Sequence, residues 1–259
     1  MMRGKKNLAW RNELGQEVVF DNRVLFLEAI DMIGTPGIHT AESLAMSDGQ
    51  RTIRHQLGPK TIPCSFAIKD VGNVEWLKNR LTEVFFPKLS GTMTVETMYG
   101  HYEIECYPLN VPTFRMAEND GVWRFDVDFV ADDPYWRKGG EHVRTLTGPI
   151  YETLMSSCPF DIYPVIEFPA ADSSRVIAFK NSLGENTIHI VEHDFPIRLT
   201  TKPFSMINMN TGVSCTNYLT TSQNVGSLVI RYGENKIQGV TGYITDIVIR
   251  YYELSMGEI

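Results

Sequence analysis

Trp123, Arg124, Phe125, Asp126, Val127, Asp128 and Phe129 form an unbroken alternation of large apolar and charged side chains. Successive side chains of a strand point to opposite faces, so this stretch predicts a strand with one buried and one wet side. Outward from it, Tyr102, Ile104 and Cys106 alternate with Glu103 and Glu105 in the same way. Further strands are predicted over 17–20, 24–30, 61–68, 91–98, 165–168, 174–181, 187–191, 197–200, 227–232 and 241–252. Many short strands separated by Gly, Pro, Asn and Asp predict packed antiparallel sheets rather than a parallel α/β fold.

One segment changes period. Over 73–86, Val74, Leu77, Leu81 and Val84 recur at spacings of three and four, which gathers them on one helical face. Asn73 suits the N-cap, and Pro87 cannot continue a regular helix. Two polar stretches read as an arm and a joint. Residues 37–60 lie between two convincing strands, and a connection of that length inside a compact domain is uncommon and usually functional. Residues 137–149 carry Gly139-Gly140 after an aromatic turn, and the domain boundary is placed there.

Composition narrows the function. The chain has 259 residues, with 24 Lys+Arg against 31 Asp+Glu and a formal net charge of −7. Phosphate affinity rests on clustered cations, so specific nucleic-acid binding is not expected. Leu8-Ala9-Trp10 is too short for the apolar core of an export signal, and no run approaches the roughly 20 apolar residues that span a bilayer. A protein made in the cytoplasm without a membrane partner is the expectation. Cys64, Cys106, Cys158 and Cys215 lie far apart without a metal-ligand or redox spacing, and predict reduced, buried thiols.

The residues that could carry chemistry have plain alternatives. Glu103 with Glu105, and Asp126 with Asp128, have the i, i+2 spacing of paired carboxylates, which also arises when a strand turns its polar side to water. His39, His55, His101, His142, His189 and His193 are dispersed, so no metal site is predicted. Ser156-Ser157-Cys158 lacks the glycine-flanked turn that exposes a nucleophile, and no phosphate-cradling glycine loop occurs. The expectation is a non-enzyme with no catalytic residue and no cofactor. More distinctive is Asp132-Asp133-Pro134-Tyr135-Trp136, where a proline ends the strand ladder and two large rings follow. It reads as a plug capping the first domain or as a subunit or domain interface formed by Pro134, Tyr135 and Trp136.

In order, WRNELGQEVVF (10–20), FLEAIDMIGTPGIHT (26–40), SDGQRTI (47–53), KTIPCSFAI (60–68), one helix, an amphipathic strand and FVADDPYW (129–136) resemble the opening domain of the phage distal tail proteins, often called Dit, of the siphovirus tail-component group. YPVIEF (163–168), VIRYGENKIQGV (229–240) and ITDIVIRYYEL (244–254) resemble the family's second β-domain more loosely. The chain departs from the family's pattern at Lys60, where that pattern has an arginine.

The resemblance implies a mainly β protein. Residues 1–140 would form a belt domain, a split β-barrel or sandwich with one α-helix, and residues 141–259 a galectin-like jelly-roll sandwich. It further implies a homo-hexameric ring at the virion tail tip, assembled in the host bacterial cytoplasm. The ring would join the tail tube to the adsorption device around a lumen for DNA. Its partners would be the major tail tube protein, the tail-tip hub and receptor-binding proteins. The competing expectation is a carbohydrate-binding tail protein. All four Trp precede the second half, leaving residues such as Tyr218 and Tyr243 to stack on sugars.

Overall fold

The structure, a computed structural model, describes residues 7–33, 37–43, 50–69, 72–116, 121–146, 152–182, 184–220, 225–239 and 247–257. The chain divides into two compact units. One comprises Met1–Lys138 with Ser255–Ile259, the other Gly139–Leu254. Both are built from antiparallel strands.

The first unit contains β1 (Asn7–Asn12), β2 (Glu17–Phe20), β3 (Leu25–Ile30), β4 (Gly37–Ser43), β5 (Gln50–Leu57), β6 (Lys60–Ile68), α1 (Val74–Val84), β7 (Gly91–Thr97), β8 (Gly100–Pro108), β9 (Arg115–Met116) and β10 (Trp123–Ala131). It also contains the start of β11 (Trp136–Leu146). Strands β2, β1, β7 and β8 pair in that order, and β8, β10, β6 and β3 form the second layer. Strand β8 serves both: residues 100–106 pair with β7, and Tyr107 and Pro108 pair with β10.

The deciding alternation holds. Phe125, Val127, Phe129 and Ala131 are buried and Asp126 faces water. Phe125 stacks on Phe66 of β6 at 5.1 Å, Phe66 on Phe20 of β2 at 4.2 Å, and Trp10 of β1 lies 5.0 Å from Phe129. Helix α1 closes this core with Leu81 and Val84, both fully buried. Asn73 caps it by accepting a hydrogen bond from the Trp76 backbone N–H at 3.0 Å, which satisfies one of the orphan donors of the first turn. The indole of Trp10 donates to the Val84 carbonyl at 3.3 Å, tying the end of the helix to β1. Gly91 is required where β7 meets β1, because a Cβ there would collide with the Arg11 carbonyl and the Trp10 ring.

The second unit holds the rest of β11, β12 (Glu152–Ser156), β13 (Val165–Phe168), β14 (Arg175–Asn181), β15 (Gly184–Ile190), β16 (Ile197–Thr200), β17 (Ser205–Asn208), β18 (Leu219–Thr220), β19 (Gly233–Gly239) and β20 (Ile247–Ser255) up to Leu254. One sheet runs β17, β16, β13 and β20, with β11 beside β20; the other runs β12, β19, β14, β15 and β18. Ile166, Phe168, Ile197, Leu199 and Ile249 of the first sheet share one core with Ile177, Phe179, Ile188, Ile190 and Ile237 of the second. This unit is a β-sandwich.

Three expectations change. Residues 37–57 are no loose connection: β4 and β5 pair with each other from Gly37↔Leu57 to Ser43↔Gln50 as a separate two-stranded sheet. Positions 44–49 of the predicted arm lie outside the described residues. Of the predicted joint 137–149, positions 137–146 are regular strand, the greater part of β11, and 147–149 lie outside the described residues. The strand expected over 227–232 is replaced by a 3₁₀ turn at Val225–Ser227 and a single bridge, Ile162↔Ile230.

Candidate assembly interface

The aromatic turn sits between β10 and β11. Asp132 and Asp133 are exposed, Pro134 is buried and Tyr135 is half-buried. The Asp133 carboxylate accepts from the Tyr135 backbone N–H at 3.3 Å, an Asx-type turn that holds the chain after the strand ends. Trp136 belongs to the core of the first unit, fully buried, and its indole N–H donates to the Met32 carbonyl at 3.1 Å. Of the three predicted interface residues, only Tyr135 keeps part of its surface.

Behind Trp136 lies an arrangement with no signature in sequence spacing. Lys60, the first residue of β6, is fully buried with its ammonium 6.0 Å from the Trp136 ring. It donates to the main-chain carbonyl of Met256. Burial lowers its pKa to about 8, while the nearby Asp31 carboxylate pulls the other way. A single carbonyl is matched by a compact ammonium and needs no two-pronged guanidinium. Gly257 lies against Met32 with φ +108°, and a Cβ there would collide with the Met32 carbonyl. The segment 255–257 thus packs onto the same backbone that Trp136 holds.

In front of the turn is a groove of about 630 Å³ whose lining includes Arg11, Glu13, Ser90, Glu105, Asp132 and Asp133. The Ser90 hydroxyl donates to Glu13 at 2.6 Å, and Arg137 reaches Glu105 at 2.6 Å. Carboxylates outnumber cations along this wall.

The paired carboxylates are engaged locally. Glu103 and Glu105 flank the Arg137 guanidinium at 3.8 and 2.6 Å, and Asp126 accepts from the Ser65 hydroxyl at 2.7 Å. His193 is held by the carbonyls of Val191 and Pro169 at 2.8 and 3.1 Å, and His142 stacks on Tyr251 at 5.0 Å. Among the described residues no three His, Cys, Asp or Glu side chains gather as metal ligands would. The four cysteines are free and buried. Burial raises the thiol pKa of Cys64, Cys106 and Cys215, which keeps these groups protonated and unreactive. No described helix is long and apolar enough to cross a membrane. Of the two sugar-stacking candidates, Tyr218 packs edge-on against Phe195 at 5.1 Å, and Tyr243 lies outside the described residues.

No family model and no curated protein sequence matches the chain. Among solved structures, the fold is similar to that of the Dit protein of phage SPP1, described there as a paradigm of the hub adsorption apparatus in Gram-positive infecting phages. That likeness has a TM-score of 0.68 at 10% identity and covers 96% of this chain and 99% of that one. A chain of the phage P2 baseplate in its activated conformation with Ca gives a TM-score of 0.55 at 10% identity, covering 97% of this chain and 98% of that one. The same baseplate with Sr gives 0.50 at 10% identity, over 95% and 97%. The likeness is one of fold, and it extends over both units in one order.

Proposed function

We propose that this chain is a structural component of a siphophage or prophage tail tip, a hexameric ring that connects the tail tube to the adsorption device or baseplate. The observation that carries this reading is the full-length agreement with a phage hub protein, covering 96% of this chain and 99% of that one. The molecule's own physics supports it. Among the described residues β4 and β5 pair only with each other, so their outer edges are unpaired main chain, the kind of surface that accepts a strand from another copy. A ring needs such a heterologous contact, in which one patch meets a different patch on the next subunit. In this reading the hairpin reaches a neighbour and the half-buried Tyr135, beside its acidic groove, contacts the ring or another tail protein.

Six copies, each with a formal charge of −7, would form an anionic collar. Like charge keeps a passing DNA backbone from adhering to the wall, so a conduit and an acidic composition are compatible. The ring joins the tube protein on one side and the hub with its receptor-binding proteins on the other, and acts by self-association without making or breaking bonds. Negative-stain imaging of the purified protein, alone and mixed with the neighbouring tail proteins, tests this. Six-fold annular particles are the expected result. Isolated particles in both samples would overturn the ring.

A further inference from the structure

In the second unit, well-solvated arginines hold carboxylates. Arg198 and Arg250 converge on Glu167 at 2.9 and 3.1 Å, and Arg231 clasps Asp161 at 2.8 Å. These side chains keep 45, 34 and 30% exposure. Arg175 is the inverse. It is only 7% exposed, yet its side chain has no ion pair or hydrogen bond among the described residues.

Its place in the fold explains the burial. Arg175 opens β14 and pairs with Ile190 of β15. The two-residue period puts it on the same face as Ile177 and Phe179, which lie in the sandwich core with Ile188 and Ile190. The stem is therefore rooted on the apolar side of the sheet. Its Nε is the one side-chain nitrogen or oxygen among the described residues that is sealed from solvent without a partner.

A buried lysine can respond by lowering its pKa, as Lys60 does. An arginine cannot, because guanidinium stays charged at any physiological pH. A permanent cation at the edge of an apolar core, with no counterion among the described residues, is disfavoured, and its replacement by an apolar side chain of similar volume is commonly stabilising. The arrangement is relieved when an anion arrives. The planar fork offers two parallel N–H donors, which match the two oxygens of a carboxylate or a phosphate-class group.

We propose that Arg175 is an oxyanion-binding residue whose terminal nitrogens take a carboxylate- or phosphate-class group from outside the chain. This is independent of the tail-tip reading. The test uses the full chain, labelled with nitrogen-15, titrated with inorganic phosphate or with acetate at ionic strength held constant with sodium chloride. A saturable shift of the Arg175 Nε–H resonance is expected, together with a rise of a few degrees in Tm. A response to both anions marks a general oxyanion site, and a response to one alone assigns that class. In chloride alone Arg175→Met should melt at or above the wild type, and it should lose the anion-dependent rise. Arg175→Lys, which keeps charge but not the fork, identifies the resonance and should respond more weakly. An unmoved resonance with both anions, or an equal Tm rise in Arg175→Met, overturns the proposal.

Discussion

The ammonium of Lys60 donates to the main-chain carbonyl of Met256, joining two residues 196 positions apart in sequence. Trp136, Met32 and Gly257 surround the same contact, so the first unit is closed by residues that follow the whole of the second in sequence.

This contact makes stability depend on pH in a defined direction. Folded Lys60 titrates at about 8, lowered by burial and partly offset by Asp31, whereas an unfolded lysine titrates near ~10.4. Between these values the unfolded chain binds more protons, so stability rises with pH through that window. The gain is complete above about 10.4 and absent below about 8. The neutral amine still has an N–H for the carbonyl. Urea midpoints measured from pH 7 to 10 should therefore rise for the wild type relative to Lys60→Met. Parallel curves for the two proteins would refute the assignment.

Gly257→Ala should lift the segment 255–257 from Met32, because the added carbon meets the Met32 carbonyl and the φ of +108° is a poor one for alanine. A loss of about 1–3 kcal/mol is expected for the first unit. Gly140→Ala, where a Cβ meets open space, is the control and should be nearly neutral. Calorimetry on both proteins checks this, and equal Tm values would count against close packing at Gly257.

Trp136 is a core residue with one polar duty. Trp136→Phe keeps a smaller aromatic ring but orphans the Met32 carbonyl, and should cost at least about 1–2 kcal/mol. Trp136→Ala removes the whole side chain from a fully buried position and should cost about 3–5 kcal/mol. Equal losses in chemical denaturation would mean that the hydrogen bond dominates over packing.

Leu81 is the residue through which α1 grips the sheets, fully buried among the aromatic rings. Leu81→Ala should cost about 2–5 kcal/mol, and Leu81→Asp should prevent the first unit from folding. Wild-type unfolding midpoints in both variants would show that the helix is not seated there.

The separate hairpin leads to the opposite expectation. Replacing 38–56 by a short Gly-Ser link removes no residue of the first unit's described core, so Tm should be unchanged while annular particles disappear. Rings of unchanged size would exclude the hairpin from the subunit contact.

Legibility in the sequence followed burial. Strands with one dry face were readable: Phe125, Val127 and Phe129 alternate in sequence and in exposure alike, and Val165–Phe168 and Ile197–Thr200 have the predicted bounds. The helix was readable from four apolar positions and a capping asparagine. Strand β11 was not, because residues 137–145 are exposed or half-exposed in succession and no alternation survives. The hairpin escaped for a related reason, since a strand paired only with its neighbour has no core to impose a pattern. Trp136 was visible as an unusual residue, but its inward direction was not, for sequence does not say which side of a turn is covered. Lys60 and Arg175 were hidden most completely: one depends on a carbonyl 196 residues away, the other on the absence of a partner among the described residues.

The return of Ser255–Gly257 to the first unit also sets a schedule for biosynthesis. While the ribosome still holds those residues, Lys60 and Trp136 lack their lid, and the leading module waits half-made although most of its own strands have already emerged. Completion of that module therefore waits on synthesis of the whole of the second unit, so the two units cannot mature strictly in chain order.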